Sequence, residues 1–172
     1  MQSLGRRSRC VFASVELASE EVEHFRRSFD SLHEKCRPHV TLAFPFVSDA
    51  ANSEIERTLE ASRPRRALHV ALLAPQFERG YVLLPVDQPD PWFGSIHLAL
   101  SRLVGARAAE PYRPHVTVGR GLKSAPVSAM ATLPNRQQGR IDRVVLEEIQ
   151  EDESSRVIHE IVFEAGTPDD RP

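Results

Sequence analysis

The pentapeptide Arg-Pro-His-Val-Thr occurs twice in this chain, at residues 37–41 and again at residues 113–117. Each copy lies in a short run of β-branched and aromatic residues, which is typical of a β-strand. Because side chains at positions i and i+2 share one face of a strand, each histidine points in the same direction as the threonine that follows it. The valine between them points to the opposite face, toward a core. The fold must therefore accommodate two strands that each present the same imidazole and hydroxyl.

The repeat extends beyond the pentapeptide, because the order strand, helix, motif strand is predicted in both halves of the chain. Ser19 is suited to cap the first helix, and Asp90 followed by Pro91 marks the start of the second. The two predicted units consist of strand 9–17, a helix from Ser19 and strand 39–46, then strand 81–87, a helix from Asp90 and strand 114–119. Repetition of a whole supersecondary unit indicates a duplication related by a pseudo-twofold axis.

The rest of the chain is predicted to complete one domain, residues 1–172, with an ordered core of about 9–165 divided into two lobes. A length of 172 residues is sufficient to bury a substantial core. The other predicted elements are a weaker helix at 52–63, a hairpin of strands 67–77 and 81–87, a short helical stretch at 125–132, and a closing hairpin of strands 140–150 and 155–164.

The composition limits the possible partners. The formal net charge is −2 at pH 7, whereas a protein that binds a long nucleic-acid backbone usually carries a basic excess. No apolar stretch approaches the roughly 20 residues that span a bilayer, and the N-terminal arginines are not followed by the apolar region of a signal peptide. We therefore expect a cytoplasmic monomer that binds no membrane. Cys10 and Cys36 lack metal-binding spacing and are expected to be reduced thiols.

A single His-x-Thr sequence carries little information, because most such histidines are partly buried residues with satisfied hydrogen bonds. Two copies with identical flanks favour a functional role, since burying two such pairs without partners would cost stability. Imidazole titrates near neutral pH, so one histidine can accept a proton while the other donates one. The hydroxyls can donate to phosphate oxygens. Two imidazoles and two hydroxyls therefore suit in-line displacement at phosphorus, a reaction that requires no metal or other cofactor when these groups carry it out.

A metal site is the alternative for the histidines outside the repeat. They show no ligand spacing, no HExxH sequence and no paired carboxylates, which argues against a metal centre. These residues are His24, His33, His69, His97 and His159. Among them, His97 lies beside the apolar stripe of its predicted helix and is expected to be packed.

With HVTLAFPF at the first motif and YRPHVTVGR at the second, the chain resembles the 2H phosphoesterase superfamily. Within it, the chain is similar to the 2′-5′ RNA ligase-like and cyclic phosphodiesterase group, over about residues 9–165. The resemblance implies an α+β, bilobal fold with two antiparallel sheets lining a central cleft, helices outside and pseudo-twofold symmetry. Both motifs would point into that cleft.

The same resemblance implies a role for each motif residue. His39 would protonate the leaving ribose oxygen, His115 would activate water, and Thr41 and Thr117 would hold the phosphate. The histidines exchange roles if the substrate binds in the other direction. The family's reaction opens 2′,3′-cyclic phosphates or cleaves 2′-linked phosphodiesters, so the expected substrate is a nucleotide or an RNA terminus. The alternatives are a module that binds such ends without hydrolysis and a 2′-5′ RNA ligase that uses the same site in reverse.

Three further residues are candidates for substrate binding. Arg120 stands five residues after His115, where relatives carry an arginine that approaches the phosphate. Phe44 stands five residues after His39, where an aromatic ring can stack on a base. Strand alternation alone turns Arg120 away from the cleft, so a bulge or the flanking Gly119 and Gly121 would have to redirect it. Tyr112 could line a base pocket. The alternatives are a solvated surface position for Arg120 and ordinary packing for both aromatic residues.

Overall fold

The computed structural model describes residues 8–108 and 111–164, which form eight strands and four helices. The duplicated order predicted above is present as β1–α1–β2 and β5–α3–β6. Residues 1–7, 109–110 and 165–172 lie outside the described part, and so do the ends of the predicted domain. The elements in chain order are β1 (Arg9–Leu17), α1 (Glu20–Phe29), β2 (His39–Phe46), α2 (Asn52–Ser62), β3 (Leu68–Leu73), β4 (Gln76–Glu78), β5 (Tyr81–Asp87), α3 (Pro91–Val104), β6 (His115–Gly119), α4 (Val127–Met130), β7 (Arg136–Ile149) and β8 (Ser155–Val162).

Local sequence signals determine where the two repeated helices begin and end. The Ser19 side chain accepts a hydrogen bond from the backbone N–H of Val22 at 3.3 Å, which caps α1. The Asp90 carboxylate accepts one from the backbone N–H of Trp92 at 2.8 Å, at the start of α3. Helix α3 ends at Gly105, whose φ of 68° lies in the left-handed region that glycine adopts without strain.

The strands of the described residues form one antiparallel sheet in place of the two sheets that the family resemblance implies. Its order is β1-β2-β6-β5-β3-β7-β8, with β4 beside β5, and an additional pairing of β1 with β7 closes six strands into a ring. Strand β7 is 14 residues long. It pairs with β1 on one side and with both β3 and β8 on the other, so it closes the ring of strands.

Each repeated helix packs on the motif strand of the other unit. Helix α1 contacts β6, and helix α3 contacts β2. The helices bury Val22 and Phe25 of α1 and Phe93, Ile96 and Leu100 of α3. The motif valines, Val40 and Val116, are fully buried on this face. The opposite face of the motif strands, which carries the histidines and threonines, is left without a helix.

The predicted strand at 67–77 is divided into β3 and β4 in the structure. Pro75 lies at the break, where its missing N–H cannot contribute to a strand ladder. Arg79 and Gly80, with φ of 50° and 86°, form the turn into β5. A Cβ atom at Gly80 would lie 3.0 Å from the carbonyl oxygen of Leu122, so the site also has little room for a side chain.

Two smaller findings complete the fold. The helical stretch predicted at 125–132 is limited to the four residues of α4. None of the helices formed by residues 8–108 and 111–164 is long and apolar enough to cross a membrane.

Candidate active site

The two motif strands are direct neighbours in the sheet. Strands β2 and β6 pair in antiparallel orientation with Val40 opposite Val116. One step forward on an antiparallel strand is one step back on its partner, so each motif histidine lies opposite the threonine of the other motif. Cα atoms of directly opposite residues lie about 4.5–5.5 Å apart. The pairing therefore gathers two imidazoles and two hydroxyls into one block on the face away from the helices.

This block forms part of the wall of a cavity of about 730 Å³. Phe44 and Arg120 also line the cavity, so six of the seven residues singled out in the sequence meet there, and Tyr112 does not. Much of the remaining wall is apolar, with Phe12, Leu83 and Ile149 among its residues. The four motif residues in the wall are His39, Thr41, His115 and Thr117.

Both motif histidines are oriented by the same local hydrogen bond. Nδ1 of His39 lies 2.7 Å from the carbonyl oxygen of Arg37, and Nδ1 of His115 lies 2.8 Å from that of Arg113. A carbonyl oxygen can only accept, so Nδ1 carries the proton in each ring. In the neutral form, Nε2 then keeps its lone pair and can accept a proton. The repeated pentapeptide thus specifies the tautomer as well as the strand position.

The surroundings of His39 disfavour its protonated form. Burial is the largest cause, and together with the nearby cations of Arg120 and Arg26 it lowers the pKa of His39 to about 4. The ring of Phe12 packs 4.7 Å from the imidazole, centroid to centroid, and Cys36 Sγ lies 3.3 Å from Nδ1. His39 is therefore neutral at neutral pH.

Matching irregularities bring Phe44 and Arg120 to the cavity. In both motif strands the two residues after the threonine are both buried, which breaks the alternation of faces. The register shifts at the corresponding places, between Val11 and Phe12 along β1–β2 and between Val82 and Leu83 along β5–β6. Such a bulge reverses the direction of the side chains that follow it. The bulge required for Arg120 is thus present, and Phe44 has an equivalent one.

Arg120 is held in place by a carboxylate that the sequence does not single out. Nη1 of Arg120 donates to Oδ1 of Asp30, whose side chain is fully buried. Oδ2 of Asp30 accepts from Nε and Nη2 of Arg26, at 3.3 and 3.2 Å. The backbone N–H of Arg120 donates to the carbonyl of Phe29 at 2.8 Å. Arg26 and Asp30 have the i, i+4 spacing of an ordinary surface pair, so their sequence gives no sign of this role.

Tyr112 supports the first motif strand from behind. Its hydroxyl donates to the carbonyl oxygen of Thr41 at 2.6 Å, and its ring stacks on His97 with a centroid distance of 4.1 Å. Burial raises the pKa of Tyr112. His97 is itself buried, and its Nδ1 lies 2.8 Å from the carbonyl oxygen of Leu42. His97 is packed in the interior, as expected. Tyr112 is packed as well and does not line the cavity.

Both cysteines line the cavity, which their sequence spacing does not indicate. Burial, followed by the nearby Glu147 carboxylate, raises the pKa of Cys10 to about 12. Burial likewise raises the pKa of Cys36. Both residues are therefore thiols at neutral pH, and a thiol is a poor nucleophile. The described residues contain no group of three or more histidine, cysteine or acidic side chains placed to bind a metal.

Comparison with known proteins identifies relatives of this fold. The family model described as the 2′-5′ RNA ligase superfamily matches residues 14–153. Escherichia coli LigT in its apo form is 20% identical over 91% of this chain and 97% of that chain, with a TM-score of 0.59. A protein described as a phosphoesterase is 19% identical over 92% of this chain and 98% of that chain, with a TM-score of 0.58.

LigT has also been crystallised with 3′-AMP, and that structure is 20% identical over 91% of this chain and 98% of that chain, with a TM-score of 0.55. At these identities the solved structures show a shared fold. No curated protein sequence matches the chain.

Proposed function

Since the chain belongs to the 2′-5′ RNA ligase superfamily of 2H phosphoesterases, we propose that it is a metal-independent phosphodiesterase. Its substrates are 2′,3′-cyclic phosphates or 2′-linked phosphodiesters of nucleotides or RNA ends. The observation that carries this proposal is the position of both His-x-Thr pairs in the wall of one cavity, on strands that pair through the motif valines. A pure binding module has no need of two proton-transfer groups at the same place.

The reaction on a 2′,3′-cyclic phosphate requires one base and one acid. Nε2 of one histidine accepts a proton from water as the water oxygen attacks phosphorus. The bond from phosphorus to the 3′ oxygen breaks, the second histidine donates its proton to that oxygen, and a 2′-phosphate results. Thr41 and Thr117 donate hydrogen bonds to the non-bridging oxygens, whose charge grows in the transition state. Arg120 adds a positive charge at the same wall.

The lowered pKa of His39 favours it as the base. A base must be unprotonated before the reaction, and His39 with a pKa of about 4 meets that condition at neutral pH. His115 is then the acid. This assignment is the reverse of the one that the family resemblance implies, and it corresponds to the opposite direction of substrate binding.

The cavity suits a small substrate or a chain terminus. Its volume of about 730 Å³ is in the range of small-molecule sites. The net charge of −2 gives no general attraction to a polyanion. We accordingly propose a nucleotide or an RNA end as substrate and a cytoplasmic monomer as the active form.

The test is hydrolysis of 2′,3′-cyclic nucleotides and 2′-5′ linked oligonucleotides in the presence of EDTA. We expect turnover by the wild type and its loss in both His39→Ala and His115→Ala. His69→Ala is the matched control, because His69 is an exposed residue of β3 outside the cavity wall. Turnover that survives both cavity substitutions contradicts the proposal. Tight binding without any product supports the binding module, and joining of RNA ends supports the ligase.

A further inference from the structure

One part of the cavity wall carries a carboxylate that forms no hydrogen bond or ion pair within residues 8–108 and 111–164. This residue is Glu147 of β7, which is partly buried. The adjacent Glu148, by contrast, is paired with Arg156 at 3.3 Å. A carboxylate in a cavity that receives a phosphate repels the substrate unless it meets a hydrogen-bond donor. The position of Glu147 therefore points to a donor on the ligand.

The strand register places Glu147 in line with Phe44. Glu147 is the direct partner of Cys10 on β1. On the other side of β1, Arg9 is opposite Phe46 and Val11 is opposite Ala43, so Cys10 faces the Phe44 end of β2. Two strand spacings separate Glu147 from Phe44, which amounts to about 10 Å between their backbones. A base that stacks on the exposed ring of Phe44 could therefore reach Glu147 across β1.

The groups around Glu147 do not satisfy it. Cys10 is a protonated thiol, which is a weak donor. Lys35 also lines the cavity, and the hydrogen bond that its Nζ forms within the described residues goes to the carbonyl oxygen of Asp152 at 2.6 Å, in the turn between β7 and β8. Glu153 of that turn is a second carboxylate in the wall, and Ile149 is apolar. Among the carboxylates that line this cavity in the described residues, Glu147 is the one on a strand that pairs with β1.

We propose that Glu147 reads the Watson–Crick edge of guanine and gives the enzyme a preference for guanosine at the scissile phosphate. The proposal rests on the proposed phosphodiesterase function. Guanine presents two adjacent donors, N1–H and the 2-amino group, which match the two oxygens of one carboxylate. Phe44 stacks on the ring, and Glu147 accepts both hydrogen bonds.

The other common bases fit this carboxylate less well. Adenine and cytosine each offer one amino group beside a ring nitrogen acceptor, which repels the second carboxylate oxygen. Uracil offers one N–H between two carbonyl groups, and both carbonyls repel the carboxylate. The expected order therefore places guanosine first and uridine last. A bidentate pair of this kind discriminates between bases by about tenfold to a hundredfold.

The experiment compares kcat/KM for the four 2′,3′-cyclic nucleotides in the wild type, Glu147→Gln and Glu78→Gln. Glu78 of β4 is a carboxylate in the wall of the same cavity, on the side of β5, so Glu78→Gln repeats the change of charge away from the base position. We expect a guanosine preference of about tenfold or more in the wild type and in Glu78→Gln. In Glu147→Gln the preference disappears, because turnover of the guanosine substrate falls and turnover of the uridine substrate rises.

The assignment of Glu147 is overturned if the wild type turns over all four substrates equally. It is also overturned if Glu147→Gln loses all four activities to the same extent. Dissociation constants of 2′-GMP and 2′-UMP, measured by calorimetry, give a second readout that needs no turnover. If no substrate is hydrolysed but 2′-GMP binds about tenfold more tightly than 2′-UMP, the phosphodiesterase function is contradicted and the base assignment is supported. Equal affinities contradict the base assignment and leave the phosphodiesterase untouched. Thermal unfolding of each variant confirms that it is folded.

Discussion

Val40 and Val116 are direct cross-strand partners, and both are fully buried. The repeated sequence therefore lies opposite its own copy in antiparallel orientation. This single pairing sets the hydroxyl of each motif beside the imidazole of the other. A slip of one residue would turn an entire motif toward the core, and the burial of both valines opposes that slip. The catalytic arrangement that we propose thus depends on two apolar side chains that have no chemical role.

The threonine hydroxyls are expected to act in the transition state. Thr41→Ala and Thr117→Ala each remove one donor to the phosphate, so each should lower kcat by about a hundredfold. Thr→Ser at the same positions retains the hydroxyl and should restore most of the activity. Thr58→Ala on α2 is the control, because that hydroxyl donates to the backbone carbonyl of Glu54 outside the cavity. Alanine variants with unchanged kcat would show that the hydroxyls do not contact the phosphate.

The pKa of His39 predicts the acid side of the pH profile. Because the base must be unprotonated, kcat/KM should fall as the pH is lowered through about 4. The charge of Arg120 is one cause of the lowered pKa, so Arg120→Met should raise that pKa and move the acid limb to higher pH. Burial remains the largest cause, and the shift should therefore be partial. NMR titration of the His39 ring gives the pKa directly, and an unshifted titration in Arg120→Met would contradict the electrostatic explanation.

Asp30 is expected to stabilise the fold and to position Arg120. In Asp30→Asn two largely buried arginines lose their counter-charge, which should lower the free energy of unfolding by about 3 kcal/mol. The same variant should raise KM, because Arg120 is no longer fixed at the cavity wall. Asp87→Asn breaks the more exposed pair with Arg136 and should cost less than about 1 kcal/mol. Urea unfolding measures the free energy of unfolding of each variant. Equal losses in Asp30→Asn and Asp87→Asn would argue against a special role for the buried carboxylate.

Phe44 and Phe46 lie two residues apart but should respond differently to removal of the ring. Phe44 is 51% exposed, so Phe44→Ala should raise KM for nucleotides by about tenfold through lost stacking and leave stability nearly unchanged. Phe46 is 7% exposed, and Phe46→Ala should destabilise the fold by about 3 kcal/mol. Steady-state kinetics and thermal unfolding separate these effects. A stable Phe44→Ala enzyme with unchanged KM would place the base elsewhere.

Much of the local structure could be predicted from the chain, because hydrophobic periodicity and capping residues act over a few positions. The bounds of β1 and β2 agree with the predicted strands, and Ser19 and Asp90 cap the predicted helices. The need for a bulge before Arg120 could also be predicted, because the alternation of side chains along a strand is a local rule. The same rule applies to Phe44, but the presence of either bulge could not be predicted, because the register between neighbouring strands involves residues far apart in the chain.

The sequence by itself determined the paired motifs, the order of the elements and six of the side chains that line the cavity. Only the tertiary structure decided that β1 pairs with β7 to close one sheet, that Asp30 holds Arg120, and that Glu147 stands in line with Phe44. The physical reason is that alternation along a strand specifies which face a side chain occupies, whereas the partner across a strand edge is selected by packing of the whole chain.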